Sequence, residues 1–150
     1  MISPLPLQIQ ILCDDAEFLP KKSSAGALGL DLKANLGVDE IVLNPLETVM
    51  IKAGFSIAIP DGYHAKIVSR SGMSSKGIIV TNAPGIIDSD YRGDICVLLT
   101  NIGKHPYKLE NKTRIAQMFF EKNIESEFVF VKELSKTERG SGGFGSTGNK

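Results

Sequence analysis

Apolar residues recur at every second position in four separate stretches: Leu7, Ile9 and Ile11; Leu28, Leu30 and Leu32; Phe55, Ile57 and Ile59; and Ile95, Val97 and Leu99. A period of two lines these side chains along one face of an extended strand, whereas a helix would scatter them around its circumference. Further β-branched or aromatic runs at 48–51, 78–81, 115–120 and 128–131 also read as strands, separated by clusters of Gly, Pro, Asn and Asp. Many short strands with frequent turns predict an all-β sandwich or closed barrel. No stretch of three or more turns carries a helical stripe, which excludes an alternating β-α-β fold. Only residues 73–76 read as a single short turn of helix.

The chain has 150 residues, 42% of them hydrophobic, enough for one sizeable core and too few for two comfortable domains. Seventeen basic residues balance seventeen acidic ones, so no global field favours nucleic acid or an anionic membrane as partner. Any recognition of phosphate must therefore be local. Cys13 and Cys96 lie far apart in apolar stretches with no metal-ligand spacing, and read as two buried free thiols of a reducing compartment. Pro4 and Pro6 break the first segment, and no apolar run reaches membrane-spanning length, so a soluble cytoplasmic protein is expected.

From Glu138 onward Gly and hydroxyl residues dominate, which divides the chain into a β domain, 1–137, and a flexible arm, 138–150. Composition alone would make this arm a bare terminus. It also carries Arg139, Phe144, Ser146 and Thr147: a guanidinium, an aromatic face and two hydroxyls on a backbone whose amides can approach an anion closely. The spacing from Gly143 to Gly148 nearly matches a Walker A loop, but Asn149 stands where lysine is required and no helix follows, so a P-loop is rejected. An arm that folds over a ligand and excludes water remains.

Two further segments carry chemistry. Arg70, Ser71 and Gly72 end a strand and begin a turn, placing a forked cation, a hydroxyl and free amides at one corner. Alone, such a tripeptide is usually a solvated turn. Residues 82–94 pack a turn signal, three acids and Tyr91 between two apolar strands, and turn chemistry would by itself account for Asn82, Gly85 and Gly93. Asp88 directly follows Ile86 and Ile87 and is expected at the end of a buried strand, where an unpaired carboxylate is costly unless it has a task. It is the candidate general base.

Taken in order, these pieces resemble the five motifs of the trimeric dUTPase family, across residues 25–148. The first motif is similar to Gly29-Leu30-Asp31-Leu32-Lys33-Ala34 and the second to Arg70-Ser71-Gly72. The third resembles residues 85–93, Gly-Ile-Ile-Asp-Ser-Asp-Tyr-Arg-Gly; the fourth, residues 114–118, Arg-Ile-Ala-Gln-Met; the fifth, the arm from Arg139 to Gly148. The resemblance implies a distorted jelly-roll barrel that forms a homotrimer, with active sites at subunit interfaces, each completed by a C-terminal arm. It implies hydrolysis of dUTP to dUMP and pyrophosphate, which limits uracil incorporation into DNA and supplies dUMP for thymidylate synthesis.

The same resemblance implies residue roles. Asn82, with the backbone around it and Gly85, reads the uracil edge; Tyr91 packs beneath the deoxyribose; Phe144 covers the base. Asp88 orients and deprotonates the water that attacks the α-phosphorus. Arg70, Ser71, Gly72 and Gln117 hold the phosphate chain, and Arg139, Gly145, Ser146 and Thr147 belong to the arm that secures its far end. Asp31 orients neighbouring groups. Mg2+ is expected on the phosphate oxygens and water, with no direct protein ligand.

Outside those motifs' context, Tyr91, Gln117 and Asp31 would each read as an ordinary sheet residue. Two positions depart from the family pattern: Leu30 stands where an aromatic is frequent, and Ser69 replaces the proline that usually precedes Arg-Ser-Gly. His64 and His105 match no motif. A dCTP deaminase on the same fold is expected to carry a glutamate shortly after the aspartate loop, but residues 95–101 contain no acid. A non-catalytic nucleotide-binding module is the other alternative, and the intact Asp88 and complete arm count against it.

Overall fold

The computed structural model describes residues 6–143. Ten strands form in chain order: β1 (Gln10–Leu12), β2 (Leu30–Lys33), β3 (Glu40–Leu43), β4 (Thr48–Ala58), β5 (Tyr63–Ser69), β6 (Ile78–Val80), β7 (Gly85–Ile87), β8 (Asp94–Asn101), β9 (Tyr107–Glu110) and β10 (Arg114–Lys122). Two four-stranded sheets, ordered β1-β4-β8-β6 and β2-β10-β5-β7, enclose the core, and a β3-β9 ribbon completes it. Every strand pair is antiparallel. This is the all-β architecture that the alternating pattern predicts, in the jelly-roll form that the family resemblance implies.

The period-two reading is clearest in β4 and β8, which pair through Ile51 and Val97. Ile51, Ala53, Phe55 and Ile57 point inward from β4, and Ile95, Val97 and Leu99 from β8, while Met50, Lys52 and Asp94 face outward. Fully burying one such aliphatic or aromatic side chain stabilises the fold by about 1.5–3 kcal/mol. The β4 ladder shifts register between Lys52 and Ser56, where Gly54 adopts φ +84°. A Cβ on Gly54 would lie 2.8 Å from the ring of Phe18, which a 3-10 turn (Ala16–Phe18) inserts beneath this bulge. Glycine is needed there twice over, for the left-handed backbone and for the ring.

Asn101, at the end of β8, is the one buried polar or charged residue among those described. Its amide Nδ2 donates to the carbonyls of Leu43 (2.9 Å) and His105 (2.8 Å), and its Oδ1 accepts from the Gly103 amide (2.9 Å). One side chain thus ties β8 to β3 and to the loop that leads into β9. Replacing Asn101 with Leu would orphan all three partners. Water can reach the loop groups but not the interior carbonyl, so a loss of roughly 2–4 kcal/mol is expected, read as a lower midpoint in urea unfolding.

Two strand expectations require correction. Residues 128–131 form no strand: Phe128, Val129, Phe130 and Val131 are 96%, 74%, 103% and 61% exposed. The residues are of strand-forming type, but no strand among the described residues pairs with the segment. Leu7, Ile9 and Ile11 likewise yield only the short edge strand β1, with exposed residues throughout. The short helical turn does form, two residues earlier than expected, as α1 (Ser71–Ser74). Cys13 and Cys96 are free thiols, half-buried rather than fully so.

Candidate active site

Strand β10 is the organiser of the first half of the site. It lies between β2 and β5, and its register sets Gln117 opposite Asp31 on one side and opposite Val68 on the other. Three sequence-distant motifs thereby meet at one end of the sheet, around a concavity of about 160 Å³ lined by Ser23, Ala27, Gly29, Asp31, Arg70, Ser71, Gly72 and Gln117. β5 stops at Ser69, Arg70 remains extended, and α1 starts at Ser71, so the amides of Ser71 and Gly72 have no partner within the helix. Ser69, standing where proline is usual, gains a use that proline could not fill: its Oγ accepts the Val80 amide at 2.8 Å. Its carbonyl accepts from Gln117 Nε2 at 3.2 Å.

Asp31 sits between two guanidinium groups. Arg70 Nε donates to its Oδ1 at 2.8 Å, Arg114 Nη1 donates to its Oδ2 at 3.1 Å, and Ser23 Oγ also donates to Oδ2. Arg114 Nη1 further donates to Ser23 Oγ (3.0 Å), and Arg70 Nη1 to the Arg114 carbonyl (3.0 Å). Burial works against ionisation of Asp31, but the Ser23 hydrogen bond and the charges of Arg70 and Arg114 outweigh it and hold the carboxyl below its usual value. The carboxylate therefore fixes both guanidinium groups while leaving them with donors to spare, an arrangement chemically able to hold a multiply charged anion.

Linkage gives this arrangement a pH signature. A carboxyl whose folded pKa is lowered contributes stability that is present above its unfolded value, near 3.9, and is lost as pH falls through the folded one. Asp31→Asn is expected to lose roughly 1–3 kcal/mol at neutral pH. The gap in Tm between wild type and variant should narrow as pH drops below about 4.

The second half of the site lies beyond the β5-β7 pair, in which Ala65 faces Ile87. A concavity of about 200 Å³ is lined by Ile86, Ile87, Asp88, Tyr91, Asp94 and Cys96. Asp88 follows the last residue of β7 as expected, but its side chain is exposed, not buried. The reason is that β7 is an edge strand, paired only with β5, and Ile86 before it is itself half exposed. Its case as a base thus rests on the pocket it lines, not on desolvation. Asn82 lies in the exposed turn before β7, over Gly85, where an added Cβ would come within 3.3 Å of its Nδ2. Burial and the nearby Asp94 carboxylate push the Cys96 thiol up, which makes it a wall of the pocket and a poor nucleophile.

Arg139 is exposed, and its Nε donates to the Gly142 carbonyl at 2.9 Å. Phe144, Gly145, Ser146 and Thr147 lie outside the described residues. The chain therefore gathers Asp31, Arg70, Ser71, Gly72 and Gln117 in one concavity, and Asp88 and Tyr91 in another. Two participants escaped sequence reasoning. Arg114 opens the fourth motif and offered a signal; Ser23, one serine in a turn, offered none.

The family model described as dUTPase matches residues 15–148. The chain belongs to the dUTPase family. A deoxyuridine 5'-triphosphate nucleotidohydrolase of Fusobacterium nucleatum is 40% identical over 143 residues, covering 95% of this chain and 97% of the relative. One from Caulobacter vibrioides is 47% identical over 132 residues, 87% of this chain and 85% of the relative. Among solved structures, a mutant dUTPase of Staphylococcus bacteriophage 80alpha with dUpNHpp superposes with a TM-score of 0.81 at 26% identity, covering 94% of this chain and 98% of that one. The dUTPase fold is thus matched along nearly the whole chain.

Proposed function

We infer that this chain hydrolyses dUTP to dUMP and pyrophosphate. The observation that carries the reading is the chemical division of its two concavities. One is a corner with the Arg70 guanidinium, neutralised in part by Asp31, two serine hydroxyls and free amides, suited to phosphate; the other is a largely apolar slot with Tyr91 and the carboxylates of Asp88 and Asp94, suited to a nucleoside and an attacking water. In this reading Arg70, Ser71, Gly72 and Gln117 grip the phosphate chain, Asp31 and Arg114 hold Arg70 in place, and Asn82 and the backbone around Gly85 read the uracil edge. Tyr91 packs beneath the deoxyribose, where a ribose 2′-hydroxyl would collide with it. Asp88 takes a proton from water aligned with the α-phosphorus.

Because the two concavities are separate in one chain, the reading joins them across a subunit interface in a homotrimer. Support comes from apolar surface left uncovered among the described residues. Ile124, Phe128, Phe130, Val131 and Leu134 are exposed, and β1 edges a groove of about 480 Å³ lined by Leu7, Ile9, Ile11, Leu30, Met118 and Phe120, among others. Residues 138–150 serve as the closing arm, with Arg139, Phe144, Ser146 and Thr147 over the bound nucleotide.

Among the described residues no three His, Cys, Asp or Glu side chains converge on a metal position. In this reading a magnesium ion is carried by substrate oxygens and water rather than by a protein cage. When bound, the ion would neutralise charge on the phosphates. Among the described residues no helix is long and apolar enough to cross a membrane. A cytoplasmic location is part of the reading, supported by the two free thiols.

The test is a panel of dUTP, dCTP, dTTP and UTP assayed for pyrophosphate and ammonia with and without magnesium. Pyrophosphate from dUTP alone is expected. Ammonia from dCTP would favour a deaminase, and dUTP binding without turnover would favour a binding module.

A further inference from the structure

Gly93 closes the aspartate loop immediately before β8. Turn chemistry would demand glycine there only if the backbone were left-handed, yet Gly93 does not adopt a positive φ. What excludes a side chain is Tyr91. A Cβ at position 93 would lie 2.4 Å from Tyr91 Oη and 2.6 Å from its Cζ. The tyrosine ring folds back over the glycine, and its hydroxyl donates to the Asp94 carbonyl at 3.0 Å.

Asp94 is in turn pinned to the sheet. Its carboxylate accepts from Lys52 Nζ at 2.6 Å and from Ser56 Oγ at 3.4 Å, both on β4. At the other end of the loop the Tyr91 amide donates to the Asp88 carbonyl at 3.2 Å, and Arg92 Nη1 donates to the carbonyls of Ser89 (2.6 Å) and Tyr91 (2.9 Å). The backbone of the loop is thereby held from both sides, while the ring lies in the space left empty at Gly93 and is tied by its hydroxyl to Asp94.

We propose that Gly93, with the Asp94 carbonyl, is a positioning residue for sugar selection: it seats the Tyr91 ring at the height that admits a deoxyribose and rejects a ribose. This rests on the reading that Tyr91 packs beneath the sugar. The clash that Gly93→Ala introduces is with the far end of a side chain that is 44% exposed and can swing outward, so the fold survives and only the ring moves. A residue needed merely to let the chain turn would behave in the opposite way, losing stability with its selectivity intact.

The experiment uses the full chain labelled with 3-fluorotyrosine, which reports on its three tyrosines; Tyr91→Phe assigns the resonance of Tyr91. In Gly93→Ala the Tyr91 fluorine resonance is expected to move while those of Tyr63 and Tyr107 stay. The dUTP to UTP ratio of kcat/KM should fall roughly tenfold or more, with most of the change for dUTP in KM rather than kcat. Adding Gly93→Ala to Tyr91→Ala should change the ratio little further, because the ring it displaces is gone.

An unmoved Tyr91 resonance, or a wild-type ratio despite a moved one when Tyr91→Ala does lower the ratio, would overturn the seat. If Tyr91→Ala itself left the ratio unchanged, the sugar reading would fail, and the moved resonance would still report the seat. Should Gly93→Ala not fold, Tyr91→Phe carries the test, since it cuts the tie to Asp94 and leaves Gly93 untouched. A several-fold loss of discrimination supports the seat, and an unchanged ratio contradicts it.

Discussion

Asp88→Asn is expected to lower kcat for dUTP by about 10²–10⁴-fold while leaving nucleotide affinity unchanged or slightly improved. The physical reason is that the amide keeps the size and one acceptor of the carboxylate but cannot take a proton from water. Affinity should not suffer, because an exposed negative charge beside a triphosphate helps turnover and not binding. Single-turnover kinetics for the chemical step, with calorimetric titration of a non-hydrolysable analogue for affinity, separates the two quantities. Equal losses in both would mean that Asp88 binds substrate rather than activating water.

Removing residues 139–150 is expected to reduce kcat/KM for dUTP by on the order of 10³-fold, the scale on which an arginine supplied from outside the pocket stabilises phosphoryl transfer. The oligomeric state should not change, since the exposed apolar residues Ile124, Phe128 and Phe130 lie before the cut. Arg139→Ala in the full-length chain should recover only part of the truncation's effect, because the arm would still cover the base. Steady-state kinetics and light scattering on both proteins check this. A truncated protein with full activity would remove the arm from the mechanism.

The fold was legible where a strand is covered on one face and wet on the other. β4 and β8 are of that kind, and their inward residues are those the alternation marks. The same pattern misled at 128–131, because hydrophobic type says that a residue wants cover and not which surface supplies it. Phe130, more exposed than any other large hydrophobic residue described, is the sharpest instance. Asp88 is exposed rather than buried for a related reason: Ile86 and Ile87 look like a buried strand, but whether β7 is central or an edge depends on pairings between distant segments.

The site followed the same rule. Arg70, Ser71 and Gly72 are adjacent in sequence, so their convergence could be read directly. The clasp of Asp31 by Arg70, Arg114 and Ser23 depends on the β2-β10-β5 register, which no local pattern encodes. Gly93 shows the limit of residue-type arguments. Glycine in a loop suggested a turn, whereas its backbone is ordinary and its emptiness is occupied by Tyr91.

Hydrolysis of dUTP in water enriched with oxygen-18, followed by mass spectrometry of both products, tests the central claim most directly. Attack on the α-phosphorus by water activated at Asp88 puts the heavy oxygen in dUMP and leaves pyrophosphate unlabelled. Label in the pyrophosphate would place the attack on the β-phosphorus and contradict the account.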